Sequence, residues 1–391
     1  MQLEREKAMA DEVRQDVIAW RRHFHRNPEL SFQESRTADY VYETLQQFGG
    51  MQLSRPTKTS VVARLIGDRP GPVLAFRADM DALPIHEQNE VDYASEVPGV
   101  MHACGHDGHT AILLGAAKVL GKYRDRLCGE VRFLFQHAEE MPPGGAIELV
   151  QSGVLDGVDM IVGAHLMSHL ETGSIVLKKG ALFAGGDLFS ITIQGRGGHG
   201  GLPHEAVDSV AIAAQVVTNL QQIVSRNVDP LESVVISTTK IIGGATNNVI
   251  PDSVELGGTT RYFKNEWKET LPRLMERIVK GVTDAHGASY TFQYNNGYLP
   301  LTNDSDVCRR IEEAGIGDLG ATLITDMRPL TVGEDFSAYL QKIPGCFVLI
   351  GSGNAEKGIV YPHHHPRFDL DEDALSIGVN MYVRIASHIL R

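Results

Sequence analysis

Two segments of the sequence carry side chains that bind metal ions and transfer protons. The first runs from Cys104 to His109 in the order Cys-Gly-His-Asp-Gly-His, and the second is the acidic pair Glu139-Glu140. Cys, His and Glu are ligands of transition metals. In an acidic pair, one carboxylate can bind a metal while its neighbour handles protons, which is what hydrolysis by a metal-activated water requires. The residues therefore predict a metal-dependent hydrolase.

The donor residues predict more than one bound ion. The candidate metal ligands are Cys104, His106, Glu140, His165 and one residue of the run His363-His364-His365. Three adjacent histidines cannot all face one metal, and such a run can also be a surface feature or a tag remnant, although native-looking sequence follows it. Five ligands of mixed S, N and O type exceed one four-coordinate site. They suit two ions that share a bridging donor and lie roughly 3.5–4 Å apart.

Other polar residues are candidates for proton transfer and substrate binding. Glu139 is the expected general base, which takes a proton from water and returns it to the leaving nitrogen. Asp81, directly after a predicted strand, either orients a ligand or the base or caps a loop, and spacing alone leaves both open. His199 lies between glycine pairs, Asn248 lies in an Asn-Asn-Val-Ile-Pro-Asp segment, and Arg261 offers a planar fork for a carboxylate.

The elements that must position these groups have the pattern of an open α/β sheet. Residues 61–65 and 73–77 are predicted to be neighbouring strands joined by a Gly/Pro turn, residues 131–135 and 160–164 are further strands, and residues 110–120 form a helix. Asp81, the acidic pair and His165 each follow a predicted strand. Because sites in open α/β sheets form at the carboxyl ends of the strands, these groups are expected to meet there.

The middle of the chain is predicted to form a separate domain. Predicted elements at residues 188–194, 209–224, 233–242, 254–262, 271–286 and 289–294 follow the β-α-β-β-α-β order of a ferredoxin-like fold. The predicted division is a metal-binding catalytic domain over residues 1–184 and 295–391, interrupted by a satellite domain over residues 185–294. Cys128, Cys308 and Cys346 have no ligand-like neighbours and are interpreted as structural.

Composition excludes several classes of partner. The 391 residues include 36 Lys and Arg and 49 Asp and Glu, for a formal charge of −13 without a basic block. Nucleic acid and anionic membranes are therefore not expected as partners. The charged N-terminus has no apolar core of a secretory signal, and no apolar run has the length of a membrane span. Four unpatterned cysteines fit a reducing cytoplasm, where we expect the protein to be located.

Several motifs together resemble the M20 metallopeptidases. These are residues 76–84 (Phe-Arg-Ala-Asp-Met-Asp-Ala-Leu-Pro), residues 101–109 (Met-His-Ala-Cys-Gly-His-Asp-Gly-His), Glu139-Glu140, residues 195–199, residues 248–252 and Gly333-Glu334-Asp335-Phe336. They occur in order from about residue 16 to residue 388. The chain is most similar to the amidohydrolase branch, which includes hippurate hydrolases, bacterial N-acyl-amino-acid hydrolases and plant auxin-conjugate hydrolases.

The resemblance implies roles for individual residues. It implies two divalent ions per subunit, Mn or Zn with Co or Ni also possible. The implied ligands are Cys104 (bridging), His106, Glu140, His165 and His364. His364 is chosen from the histidine run because it lies two residues before Pro366. It also implies Glu139 as the base with Asp81 beside it. His199 would stabilise the oxyanion in a dimer partner's site, while Asn248 and Arg261 would bind substrate. The implied fold is an α/β zinc-peptidase-like domain with an inserted α+β ferredoxin-like satellite domain that forms a homodimer or a higher homo-oligomer.

The implied activity is hydrolysis of the amide bond in small N-acyl amino acids or related conjugates. A dipeptidase or carboxypeptidase of the same fold is the alternative, since its scissile bond is also an amide. A non-hydrolytic amide- or peptide-binding relative is a weaker alternative, because it predicts loss of a ligand or the base. His137 before the Ala-Glu-Glu segment, Met141-Pro142-Pro143 after it and Leu166-Met167-Ser168 after His165 depart from common family residues, which leaves the substrate open.

Overall fold

The computed structural model describes the backbone of residues 2–391 and the side chains of residues 11–391. The α-helices are α1 (Gln2–Arg26), α2 (Ser35–Phe48), α3 (His106–Gly121), α4 (Gly145–Gln151), α5 (Ser209–Arg226), α6 (Trp267–Ala285), α7 (Ser305–Glu313), α8 (Ser337–Leu340) and α9 (Asp373–Ile389). The β-strands are β1 (Gln52–Ser54), β2 (Val61–Ile66), β3 (Arg69–Asp79), β4 (Cys128–Gln136), β5 (Met160–Glu171), β6 (Ser174–Val176), β7 (Gly180–Phe183), β8 (Gly185–Gln194), β9 (Gly198–His199), β10 (Val234–Ile242), β11 (Val249–Ile250), β12 (Ser253–Tyr262), β13 (Ser289–Asn295), β14 (Leu301–Asn303), β15 (Thr322–Ile324) and β16 (Gly345–Gly353).

The chain divides into two compact units. Unit 1 contains the chain up to Leu182 together with Thr302–Arg328 and Asp335–Arg391. Unit 2 contains Phe183–Leu301 and Pro329–Glu334. Among the residues that the structure describes, no helix is both long and apolar enough to cross a membrane.

Unit 1 is built on a mixed sheet. Over the described residues its eight strands lie in the order β1-β2-β4-β3-β5-β16-β6-β15. β3 is parallel to β4 and to β5, and β5 is parallel to β16. The central strands are almost continuously buried, as expected for parallel strands covered on both faces.

The prediction that β2 and β3 are neighbours is wrong. β4 lies between them and forms antiparallel pairs with β2 and parallel pairs with β3. A short Gly/Pro turn between two apolar runs usually indicates a hairpin. Here the turn instead spans the width of β4, which enters the sheet later in the chain, and local sequence does not carry that information.

Helices cover both faces of the unit 1 sheet. On one face, α3 packs between α1 and α9 at Gly115, where an added Cβ would lie 2.7 Å from Val17 and 2.8 Å from Val379. This close approach requires glycine. On the other face, the Tyr339 hydroxyl of α8 donates to the side-chain oxygen of Gln136 in β4 at 2.9 Å.

Unit 2 has a four-stranded antiparallel sheet in the order β10-β12-β8-β13 over its described residues. With α5 and α6, its elements follow the β-α-β-β-α-β order, and the predicted fold class is confirmed. Phe189, Ile191 and Ile193 alternate along β8 and are buried in the core of this unit. The carboxylate of Asp208 caps α5 by accepting the amides of Val210 and Ala211.

Candidate metal centre

The predicted ligands meet at the carboxyl end of the unit 1 sheet. Asp81 follows β3, and Glu139 and Glu140 follow β4. His165 lies within β5 and not after it, because the strand continues to Glu171. Likewise, α3 begins at His106, so this histidine lies in the first turn of the helix and not in the preceding loop.

Cys104, His106 and His165 form the buried part of the cluster. The Cys104 Sγ lies 3.5 Å from the His165 Nε2. The His165 Nδ1 donates to the Leu166 carbonyl at 2.7 Å, so its Nε2 presents a lone pair. The His106 Nδ1 donates to the Asp81 carbonyl at 2.9 Å, and its buried Nε2 has no hydrogen-bond partner among the described residues. Both histidines are therefore oriented as metal ligands are.

Glu140 and His364 extend the cluster towards solvent. The His364 Nε2 lies 3.2 Å from the Glu140 Oε1, which is itself 3.9 Å from the His106 Nε2. This carboxylate oxygen is buried but forms no hydrogen bond within the described part of the chain. His364 has a left-handed backbone with φ 64°, and its amide donates to the Ala103 carbonyl at 2.8 Å. This amide contact places the His364 side chain opposite Glu140.

The donor set fits transition-metal ions. Cys104, His106 and His165 have ligand atoms within 4.8 Å of one another, and so do Cys104, Glu140 and His364. The two groups share the Cys104 thiol, and together they contain the five predicted ligands. Two buried polar atoms without hydrogen-bond partners, the His106 Nε2 and the Glu140 Oε1, are costly in the absence of a metal ion. The residues present therefore fit the metals that the sequence implies.

The local field favours a cation. Burial opposes protonation of His106, but the carboxylates of Asp79, Asp81 and Glu140 raise its pKa to about 10. Burial and the nearby Glu140 and Glu139 carboxylates raise the pKa of the Cys104 thiol well above its ordinary value. A metal must therefore displace the thiol proton when it binds Cys104.

Asp81 holds the backbone of the acidic pair. Its carboxylate accepts the amide of Glu139 at 2.9 Å, the amide of Glu140 at 3.0 Å and the Ser31 hydroxyl at 2.7 Å. Burial opposes its ionisation, but hydrogen bonds and the His106 charge lower the pKa of Asp81. Asp81 thus stays ionised and fixes where the Glu139 and Glu140 side chains begin. Glu139 is 6% exposed, and its carboxylate lies in one group with His106 and Glu140.

Four further histidines near the centre have other hydrogen-bond partners. His109 donates from Nδ1 to Asp79 at 2.6 Å and accepts the Leu166 amide on Nε2 at 2.8 Å, so both ring nitrogens are used. His137 contacts Glu148 through Nε2 at 3.0 Å. His363 donates to the Leu166 carbonyl at 2.9 Å, and His365 accepts the Arg367 amide at 3.0 Å.

A buried ionic network, which the sequence reasoning missed, lies beneath the centre. Arg77 donates to Asp79 at 2.7 Å, to Gln136 at 2.8 Å and to Asp335 at 2.6 Å. Asp335 also accepts the amide of Ala146 at 3.0 Å. The Phe-Arg-Ala-Asp and Gly-Glu-Asp-Phe motifs were visible signals, but the distance between them in sequence hid their contact. The network ties β3 to β4 and to the start of α4.

The three candidates in unit 2 lie on its surface. The exposed His199 in β9 accepts the Gly201 amide on Nδ1 at 2.9 Å, so its Nε2 carries the proton when the ring is neutral. The exposed Asn248 accepts the Thr246 hydroxyl at 3.1 Å. Arg261 is half-buried and donates from Nε to the Thr331 carbonyl at 3.2 Å. Register places Val249 opposite His199, which brings residue 248 next to this histidine.

Comparison with known proteins agrees with this architecture. The model of "Peptidase family M20/M25/M40" matches residues 75–388. The chain is 61% identical to an N-acyl-L-amino acid amidohydrolase of Geobacillus stearothermophilus, over 76% of this chain and 80% of that protein. It is 38% identical to thermostable carboxypeptidase 2 of Saccharolobus solfataricus, over 98% of each. The crystal structure of the Bacillus subtilis YXEP protein, a dinuclear metal-binding peptidase from the M20 family, has a TM-score of 0.84 and 36% identity, covering 97% of this chain and 99% of that one.

Fold and site together define a metal-dependent hydrolase with a satellite domain. The chain belongs to peptidase family M20/M25/M40, and the resemblance seen in its motifs is confirmed.

Proposed function

We propose that this protein is a metal-dependent amidohydrolase that releases the amino acid from N-acyl amino acids or related conjugates. The observation that carries the proposal is the cluster in which two ligand groups share Cys104 and Glu139 lies beside them. The Geobacillus stearothermophilus relative, named for this activity, supports the substrate class. A small-molecule substrate follows, and we expect neither nucleic acid nor membrane as a partner.

The proposed metal ligands are Cys104, His106, Glu140, His165 and His364, which would hold two divalent ions, and Cys104 belongs to both ligand groups. Bound there, the ions would supply Lewis acidity towards the amide carbonyl and lower the pKa of a water to about 7. Mn or Zn is our first expectation, with Co or Ni possible, because availability often decides occupancy of such mixed sites.

The remaining roles belong to this chain's own groups. Glu139 would accept the proton of the attacking water and deliver it to the leaving nitrogen. Asp81 would keep Glu139 in place through its backbone amide. His199 would donate from Nε2 to the oxyanion that develops in the active site of a dimer partner. Asn248 and Arg261 would bind the carbonyl and the carboxylate of the substrate.

We further propose a homodimer, or a higher homo-oligomer, in the cytoplasm. The catalytic domain would comprise residues 1–184 and 295–391, and the satellite domain residues 185–294 would form the contact. β10 is an edge strand of its sheet, and its Ile241 and Ile242 are 61% and 57% exposed. An exposed apolar edge strand readily pairs with another chain. Light scattering should show a dimer or larger oligomer for wild type and a smaller species for Ile241→Lys. A monomeric wild type would contradict the proposed assembly.

A peptidase of the same fold is the second candidate. The similarity to the Saccharolobus solfataricus carboxypeptidase favours it specifically. A non-hydrolytic binding protein is a weaker candidate, because all proposed ligands and the base are present.

The test is amine release from N-acetyl amino acids, hippurate, an indole-acetyl conjugate and two dipeptides, with metal-free protein and with added Mn or Zn. Metal-dependent release from acyl amino acids is the expected result. Cleavage of dipeptides alone would favour the peptidase, and no turnover with any metal would overturn the proposal.

A further inference from the structure

The loop between α1 and α2 is bonded to the turn that carries the acidic pair. The Ser31 hydroxyl donates to the Asp81 Oδ2 at 2.7 Å. The Glu34 Oε1 accepts the Ala138 amide at 2.8 Å and the Phe32 amide at 2.9 Å. The consecutive amides of residues 138, 139 and 140 therefore all donate to two buried carboxylates, Glu34 and Asp81. Neither Ser31 nor Glu34 was identified from the sequence.

The backbone at both ends of the Glu34 contact is strained. Among the described residues, those other than glycine with positive φ are Phe32 at 65°, Ala138 at 50° and His364 at 64°. Such conformations are unfavourable and persist only where surrounding contacts impose them. One carboxylate oxygen of Glu34 binds the amides of both Phe32 and Ala138. The Ala138 carbonyl in turn accepts the Gly145 amide at 2.9 Å.

Stability alone does not explain an ionisable group at this position. Glu34 is 0% exposed, and burial raises the pKa of its carboxyl group to about 7. Burying a carboxylate is unfavourable unless a specific contact requires it. The contact seen here is with the residue directly before the proposed general base.

We propose that Glu34 is a positioning residue that sets the location of Glu139 by holding Ala138 in its left-handed conformation. This inference rests on the proposed function. Loss of the carboxylate leaves the Ala138 and Phe32 amides without their acceptor, and the turn relaxes towards a negative φ. A displacement of about 1 Å at a catalytic group can cost about 100-fold in rate.

The experiment compares variants of the full-length, metal-loaded protein. Glu34→Ala should lower kcat about 10- to 100-fold with KM changed less than about threefold and with the wild-type number of bound metals. Glu34→Gln keeps one acceptor oxygen and should lose less, which covers the case in which the alanine variant folds poorly. Metal content and melting temperature are measured on the same samples.

A matched control lies in the same loop. The Glu29 side chain accepts the Thr37 amide at 2.8 Å and Arg36 at 3.0 Å, at the start of α2. Glu29→Ala therefore perturbs this loop without a side-chain contact to the acidic pair, and it should keep wild-type kcat.

A second-site change tests the strain directly. Ala138→Gly removes the penalty for positive φ, since glycine adopts such angles readily. On its own it should change kcat less than about threefold, and combined with Glu34→Ala it should recover at least about threefold of the lost kcat. A merely structural role for Glu34 would not produce this recovery.

The outcomes separate the two proposals. Wild-type protein that hydrolyses no amide would overturn the proposed function and this role with it. With an active wild type, three results would overturn the role of Glu34 alone: unchanged kcat in Glu34→Ala, an equal loss in Glu29→Ala, or no recovery by Ala138→Gly.

Discussion

The two units present their candidate residues in opposite ways. In unit 1, Cys104, His106, Glu139 and His165 are between 1% and 9% exposed. His106, His165 and the backbone of Glu139 are bonded to groups that fix their orientation, and His364 alone among the proposed ligands is exposed. In unit 2, His199 and Asn248 are exposed and Arg261 is half-buried. His199 and Asn248 have side-chain contacts only within their own loops, and Arg261 bonds to its own strand and to the Thr331 carbonyl.

This contrast indicates a division of labour. Buried groups with fixed partners are preorganised and do not reorient during the reaction, which is what charge stabilisation at a metal site needs. Exposed groups gain most of their contacts when a ligand or partner arrives. Substitutions in unit 1 should therefore change metal content or kcat, whereas substitutions in unit 2 should leave metal content unchanged.

The largest effect is expected from the acidic pair and the shared thiol. Glu139→Gln should lower kcat about 10²- to 10⁴-fold while retaining metal, since it removes proton transfer and no proposed ligand. Cys104→Ala should lose bound metal as well as turnover. Steady-state kinetics with elemental analysis of metal content distinguishes the two variants. Full activity in either variant would contradict the assigned roles and remove the distinction between the units.

His199→Ala tests whether unit 2 takes part in chemistry. We expect kcat to fall about 10²- to 10³-fold, as for loss of an oxyanion donor, with wild-type metal content. His204→Ala is a suitable control, because His204 is exposed, lies a few residues away and has no proposed role. Equal activity of the two variants would confine the chemistry to unit 1.

Arg261→Lys should have a smaller effect. It keeps the positive charge but removes the planar fork, so KM should rise about tenfold, equivalent to about 1.4 kcal/mol, with kcat nearly unchanged. The measurement compares the KM for an N-acyl amino acid with the KM for the N-acyl amino-acid amide, in which a carboxamide replaces the carboxylate. If the amide lacking a carboxylate shows the same rise, Arg261 does not bind that group.

The last effect concerns stability and not turnover, and it comes from the burial of a histidine in unit 1. His102 is 2% exposed, neither ring nitrogen has a hydrogen-bond partner among the described residues, and burial lowers its pKa to about 4. The unfolded chain therefore binds a proton at a higher pH than the folded chain, and stability is lost as pH falls from about 6.5 towards 4. The full shift corresponds to roughly 3 kcal/mol.

His102→Phe should remove this loss. Urea unfolding of metal-free protein at pH 7 and pH 4.5 measures it, and the decrease in midpoint should be smaller in the variant than in wild type. His286→Phe, at an exposed histidine of unit 2, should leave the decrease unchanged. The same decrease in all three proteins would show that burial of His102 has no such cost.

Residue types at strand ends were sufficient to predict the fold class and where the donors would cluster. Asp81, Glu140 and His165 stand after or within apolar runs, and parallel strands bring such positions to one edge. The motif resemblance supplied the family, which the comparisons confirm. The individual roles of the site residues stay predictions.

Other features depend on contacts between distant segments. β16 is buried along its whole length but was not predicted, although its apolar run from Cys346 to Ile350 between glycines is typical of a buried strand. The contact between Glu34 and Ala138 joins a helix break to a strand end more than 100 positions later in the chain. Neither residue type suggests that pairing, which arises from the left-handed turns at Phe32 and Ala138.

The position of β16 also determines the order in which unit 1 can be completed during synthesis. β16 pairs with β5 on one side and β6 on the other, yet it begins about 170 residues after β5 ends. At about 5–20 residues per second, a ribosome needs roughly 10–30 s to make the intervening chain. Throughout that interval the β5 edge that carries His165 lacks β16, whereas unit 2 has all the strands of its own sheet once β13 has been made. Nascent chains are therefore most vulnerable to aggregation after the satellite domain has emerged and before the last strand arrives.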